Sequence, residues 1–527
     1  MASTRSSAPT RSSESTRRVP TWAVIAVLSV CGTFVSLQQT LIIPIIGDLP
    51  KLFHTTPSTA SWLITATLLT SAVAMPTVSR LADMFGKRRM MVICLILIIV
   101  GSLLGAVGTS LPLVIIARAL QGFSTALIPV GISIMRDELP KAKVPAAVAL
   151  MSATLGIGGA IGLPLGGFLY AQSSYHALFW LSAAAGVVLL VAILKLVTES
   201  LIKTPGRFDV LGALIISIAL TCFLLAVSKG GSWGWGSSSV LGLFAAFVVL
   251  LVLWVPYELK IREPLIDLRT SARRPVLITN IATVLIGFAM FGQMLAVTQL
   301  LTMPTSTGYG YGFTPMQAGL AMLPGGTLMV FLAPVSATIT NRFGAKTTLV
   351  SGAVIMGLGY IGLVFMIGTL FTLILGTILV SAGLALAYAA MPTLIMRAVP
   401  MTETASANGL NALLRSVGTS SASAAVAAVL ASMTMTAGGI AMPAVGAFKF
   451  IFWISAISAL IGASVGAFLP KHRADLEESF DPGAEYDTND IRKERAQHGG
   501  AVDTTHLVTI RATQRAKEKQ EKEALSR

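Results

Sequence analysis

Long apolar runs, repeated along most of the chain, limit what this sequence can fold into. A helix needs about 20 consecutive, mostly apolar residues to cross the hydrocarbon core of a bilayer. Breaking the sequence at charges and at Pro/Gly/Ser clusters gives such runs near residues 22–46, 57–79, 90–108, 111–134, 144–169 and 177–197. Two more lie near 209–228 and 238–258. Six follow near 276–301, 315–339, 347–368, 370–395, 406–432 and 448–469. The spacing predicts an all-α integral membrane protein of fourteen transmembrane helices.

Composition excludes the soluble alternative. The 527 residues are 54% hydrophobic and 12% charged, whereas soluble domains carry roughly 25% charged residues. A water-facing chain of this length would also split into several polar-skinned domains. Cys31, Cys94 and Cys222 each sit inside an apolar run, so they read as small core residues and not as a disulfide framework or metal site. No cofactor is expected.

The net charge of +15 would suggest nucleic acid in a soluble protein, but here the placement of the charges decides. Cytoplasmic loops of membrane proteins are enriched in Lys and Arg. On one side of the fourteen-span topology lie Arg5, Arg11, Arg17 and Arg18, then Arg80, Lys87, Arg88 and Arg89, then Arg136, Lys141 and Lys143. The same side takes Lys195, Lys203, Arg207, Lys260, Arg262, Arg269, Arg273, Arg274, Arg342, Lys346, Arg397, Lys471 and Arg473. The other side takes only Lys51, Lys229 and Lys449. Both termini are therefore predicted to be cytoplasmic. The partners implied are the lipid bilayer and a small-molecule substrate, with no nucleic acid.

Internal repetition predicts the architecture. The loop after the second run reads SRLADMFGKRR (79–89), and the loop after the tenth reads ATITNRFGAKT (337–347). Placing Gly86 on Gly344 puts Asp83 on Asn341 and Arg88 on Lys346. Duplicated halves with substrate held between them are a transporter architecture. The expected organisation is a cytoplasmic tail at 1–20, six-helix halves at 21–200 and 276–470, and a two-helix insert with its loops at 201–275. Residues 471–527 are polar and mixed in charge, a composition expected to stay disordered. A short helix at their end is the alternative.

Three motifs carry a family resemblance. Arg80-Leu81-Ala82-Asp83-Met84-Phe85-Gly86-Lys87-Arg88 resembles the second-loop signature of the major facilitator superfamily, with Ser79 where the family opens on Gly. Leu113-x4-Arg118-x2-Gln121-Gly122 resembles its fourth-helix signature. Gly158-x3-Gly162-Leu163-Pro164-Leu165-Gly166-Gly167 is similar to its fifth-helix exporter signature, with Pro one position late. The fourteen runs match the drug:proton antiporter branch of EmrB/QacA type. The resemblance implies that Asp83, with Arg80, Gly86, Arg88 and the repeat pair Asn341 and Gly344, forms a conformational latch. Physically, Asp83 can pair with a neighbouring helix N-terminus. Small residues such as Gly158, Gly162, Gly166 and Gly167 let helices slide, and Pro164 bends the span.

One departure bears on coupling. Proton-coupled members usually have an Asp in the first helix where this chain has Gln38, in Ser36-Leu37-Gln38-Gln39-Thr40. The ionised residues read as deep inside spans are Arg118 and Arg415. Such groups face the bundle interior and are functional candidates by default. A cavity lined by Arg118, Gln121, Gln38, Gln39, Asn280 and Gln293, with Arg415 as a further contact, is expected to prefer neutral or anionic amphiphiles. Arg118 is the expected contact or gate. Protons are a candidate coupling ion without their usual carrier.

No GxxxxGK[ST] loop is present to cradle ATP phosphates, and the spans hold no His, Asp or Glu at mid-membrane from which to build a hydrolase. The expected function is a secondary transporter in the plasma membrane, a monomer exporting amphiphilic small molecules by alternating access, and not an enzyme. An uptake permease or facilitator for an organic acid or other metabolite stays open, as does a transporter-fold sensor.

Overall fold

The computed structural model describes residues 20–45, 48–204, 206–437 and 440–470. The expected tails at 1–20 and 471–527 fall, apart from Pro20, outside the described residues. Fourteen helices are long and apolar enough to cross a membrane. They are α1 (Thr21–Thr40), α2 (Trp62–Phe85), α3 (Lys87–Val107), α4 (Leu111–Glu138), α5 (Val144–Gln172), α6 (Tyr175–Leu196) and α7 (Val210–Trp233). The rest are α8 (Ser238–Lys260), α9 (Arg274–Thr302), α10 (Pro315–Phe343), α11 (Ala345–Phe365), α12 (Leu370–Ala398), α13 (Thr404–Ser432) and α14 (Val445–Ala467). An antiparallel hairpin, β1 (Thr434–Ala437) and β2 (Ile440–Pro443), joins the last two helices, with Thr434 paired to Pro443. No sequence pattern pointed to it.

Several spans run further than the charge pattern suggested. The predicted loop at 79–89 is helical on both sides of one residue: α2 continues through Arg80 and Asp83 to Phe85, and α3 starts at Lys87. Gly86 alone makes the reversal, at φ 124°, a region open to glycine because it lacks a Cβ. Gly344 does the same between α10 and α11, at φ 88°. Lys229, assigned to an outer loop by sequence, lies inside α7. It is 1% exposed, with Nζ 2.7 Å from Ser61 Oγ and 4.9 Å above the Trp62 ring.

The apolar core is divided among the helices. One cluster joins α9 to α12 and α14 through Ile286, Tyr360, Phe448 and Phe452. Another joins α1, α3 and α4 through Leu28, Leu95 and Met135. A third fastens α7 and α8 to α2 and α13 through Ile216, Leu220, Trp254, Met75 and Leu413. Helix α8 otherwise turns large apolar side chains outward, Val248, Val249, Val252 and Leu253 among them, as a lipid-facing helix does.

Candidate functional site

The glycine-rich stretch of α5 serves two neighbours. Gly158, Gly162 and Gly166 fall one turn apart and face α1: a Cβ on Gly158 would lie 2.8 Å from Ser36 Cβ, and one on Gly162 2.9 Å from the Leu37 carbonyl. Ser36 Oγ donates to the Leu155 carbonyl at 2.7 Å across the same contact. Pro164 and Gly167 belong to the opposite face, against α10. There Gly319 packs on Leu163 and Pro164, and Gly326 comes so near that its Cβ would be 2.8 Å from the Gly156 carbonyl. The contact between the two halves of the bundle therefore uses Gly156, Pro164 and Gly167 with Gly319 and Gly326. The regular small-residue row holds α1 to α5 within one half.

At the cytoplasmic end the two halves are joined by polar contacts. Asp83, 1% exposed, accepts hydrogen bonds from the Ser406 backbone N–H at 2.8 Å, the Ala405 N–H at 3.2 Å and the Ser406 hydroxyl at 2.9 Å. These groups open α13, where free N–H donors and the helix dipole favour a carboxylate. Arg136 donates to Thr404 Oγ1 at 2.7 Å and to the Val399 carbonyl at 3.1 Å. Thr204 Oγ1 donates to the Thr402 carbonyl at 2.9 Å.

Beneath Asp83, Lys87 is fully buried, 2.6 Å from Asp137 Oδ2 and 3.9 Å from Asp83 Oδ1. Ser200 Oγ also donates to Asp137. Glu199 accepts the N–H groups of Arg88 and Arg89, closing the start of α3, while Arg88 Nη2 donates to the Leu194 carbonyl at 2.6 Å. A Cβ on Gly86 would sit 2.7 Å from that glutamate. Arg80 is half-buried on the same end of α2. In the second copy of the motif, Asn341 is exposed and a Cβ on Gly344 meets nothing within 4 Å.

The polar residues expected to line one cavity occupy separate places. Arg118 is 4% exposed and donates through Nη1 to Gln121 Oε1 at 2.8 Å and to the Gln38 carbonyl at 3.3 Å. Gln121 is held by its own bond to Ser102 Oγ at 2.9 Å. Asn280 pairs with Asn411 Nδ2 at 2.9 Å, between α9 and α13. Gln293 donates to the Thr377 carbonyl at 3.2 Å, between α9 and α12. Gln39 is exposed on α1. Arg415, near the middle of α13, is half-buried, its guanidinium 5.3 Å above the Tyr388 ring. Tyr388 in turn donates to Met290 Sδ at 2.9 Å. The single polar cavity expected from sequence is thus corrected to a sealed Arg118–Gln121–Gln38 cluster, a sealed Asn280–Asn411 pair, and Arg415 and Gln39 in contact with the solvent-accessible surface.

Sequence reasoning missed Asp137, Glu199, Arg136 and Asn411. Arg136 counts only as an inside loop charge, Asp137 and Glu199 read as ordinary loop acids, and a lone Asn in an apolar helix has no recognisable spacing.

Comparison with known proteins places this geometry. The Major Facilitator Superfamily model matches residues 28–423. The multidrug resistance protein Stp of Mycobacterium tuberculosis is 28% identical over 406 residues, covering 76% of this chain and 74% of the relative. The tetracenomycin C resistance and export protein of Streptomyces glaucescens is 28% identical over 63% of this chain and 61% of its own length. The putative multidrug resistance protein MdtD of Salmonella typhimurium is 28% identical over 72% of this chain and 80% of the relative. Among solved structures, the human organic anion transporter MFSD10 superposes with a TM-score of 0.61 at 14% identity, over 85% of this chain and 99% of that one. With fourteen membrane helices, a duplicated turn motif and a family match over most of its length, the chain belongs to the major facilitator superfamily of membrane transporters.

Proposed function

We propose that this transporter exports neutral or anionic amphiphiles from the cytoplasm across the plasma membrane, working as a monomer in which one chain supplies both halves of the substrate path. The observation that carries the reading is Arg415. It is an ionised side chain near the middle of a span that remains partly accessible, and no carboxylate lies within 4.0 Å of it among the described residues. The buried acids Asp83, Asp137, Asp209 and Glu258 all stand at cytoplasmic helix ends. A cationic cargo would therefore lose hydration at mid-membrane without gaining a counter-charge. A guanidinium suits a carboxylate or sulfate group. Arg118, sealed between α1 and α4, is less suited to that contact than Arg415. The export direction rests on relatives named for resistance and export. A proton-driven cycle would have to use the acids at the cytoplasmic end.

The test is a charge series of otherwise similar compounds in proteoliposomes, with wild type and Arg415→Gln. Removing one charge-assisted hydrogen bond should raise KM for anions about tenfold while neutral analogues move less than about twofold. Faster transport of permanent cations than of anions by the wild type would overturn the reading. Flux in one direction only, set by an imposed pH gradient, would show the coupling.

A further inference from the structure

The Arg118 cluster is electrostatically incomplete. The guanidinium is almost wholly removed from solvent, yet no carboxylate lies within 4.0 Å of it among the described residues. Its bonded partners, the Gln121 side chain and the Gln38 carbonyl, are dipoles. An isolated charge in a low-dielectric interior is strongly disfavoured unless it is paired. The bonding is unfinished as well. Arg118 Nε and both polar atoms of the Gln38 carboxamide have no hydrogen-bond partner. Buried polar groups are rarely left so. All three residues line one small cavity of about 10 Å³, which Ser182 completes on the polar side and Leu178 and Phe179 close on the apolar side.

We propose that this cavity is a binding site for one small monovalent anion of about the size of chloride, held between the Arg118 Nε–H and the Gln38 carboxamide N–H. A cavity of about 10 Å³ has room for roughly one water-sized particle. Water would satisfy the hydrogen bonds and leave the positive charge uncompensated, whereas an anion does both. The Gln38 side chain makes no bond of its own, so it can turn its amide donors to the ion and widen the cavity slightly. Gln121, fixed by Ser102, keeps the guanidinium aimed at the site. The ion is structural here, joining α1 to α4, and the inference does not depend on the cargo.

The experiment is thermal unfolding of the purified full-length protein in detergent, titrating sodium chloride against sodium gluconate at constant ionic strength. A ligand that binds the folded state alone raises the unfolding temperature with concentration. The expected result is a saturable rise in chloride, reproduced by bromide and absent in gluconate, which is too large to enter. Arg118→Gln should abolish the dependence. Gln38→Glu, which puts a carboxylate beside the guanidinium at nearly unchanged volume, should also abolish it, with an unfolding temperature in gluconate close to that of wild type in chloride. Equal wild-type stability in chloride and gluconate would mean that water fills the cavity, and would overturn the proposal. So would a chloride dependence that survives Gln38→Glu, a readout that stands even if Arg118→Gln does not fold.

Discussion

Lys87 is the residue with most to lose at the cytoplasmic end. Its ammonium is fully buried between Asp137 and Asp83, and removing one partner of a buried ion pair leaves the other charge unpaired in a poor solvent. Lys87→Met is therefore expected to destabilise the protein by about 3–5 kcal/mol, read as a fall in unfolding temperature. Adding Asp137→Leu should recover part of that loss, because an apolar pair of similar volume can replace a buried ion pair. Wild-type stability in the single variant would show that the pair is not balanced by Lys87. The sequence marked Lys87 as an inside charge within the second-loop motif, with no sign that it is buried. Its burial comes from α3 turning that face toward α4, which local pattern does not encode.

The glycines of α5 divide by face, and the two faces predict different failures. Gly162→Leu would drive a side chain into the Leu37 carbonyl and Thr40 of α1. Overpacking of this kind costs about 1–3 kcal/mol or more, so the expected outcome is lower thermal stability along with lost flux. Gly326→Leu would instead press on Ala160 and the Gly156 carbonyl across the two halves. It should leave each half packed while favouring states in which α5 and α10 separate, read as increased labelling of cysteines placed in the outer loops, because the contact lies from the middle to the outer end of both helices. If both variants lose stability equally and neither changes labelling, the two faces do not differ as the packing implies. The Gly-rich spacing was plain in the sequence. Which neighbour each glycine meets was not, since a period of one turn fixes a face and not its partner.

Across the whole molecule, Asp83 and Arg136 tie one half to residues 399–406 of the other at the cytoplasmic side, and Thr204 ties the start of the two-helix insert to the same segment. Asp83→Asn keeps the shape but removes the charge that favours the α13 N-terminus, an interaction of about 0.3–2 kcal/mol. The expected result is a shift toward the state open to the cytoplasm and a several-fold loss of transport, with little change in substrate affinity. Unchanged flux at normal expression would remove Asp83 from the cycle. Asn341→Asp should matter less, because Asn341 is exposed.

The helix number and the duplicated turn could be read from the sequence because each depends on local quantities. Span length follows from apolar runs, and the tight turns from Gly86 and Gly344. The fate of the two arginines was beyond such reading. Arg118 and Arg415 are both single cations in long membrane runs, and although only Arg118 stands in a motif, neither position shows its burial. Helices α1, α4 and α6 close over the first, while Tyr388 supports the second and leaves it half-buried. Burial depends on which helix faces meet, and many weak contacts far apart in the chain set that jointly, so only the tertiary structure decided it.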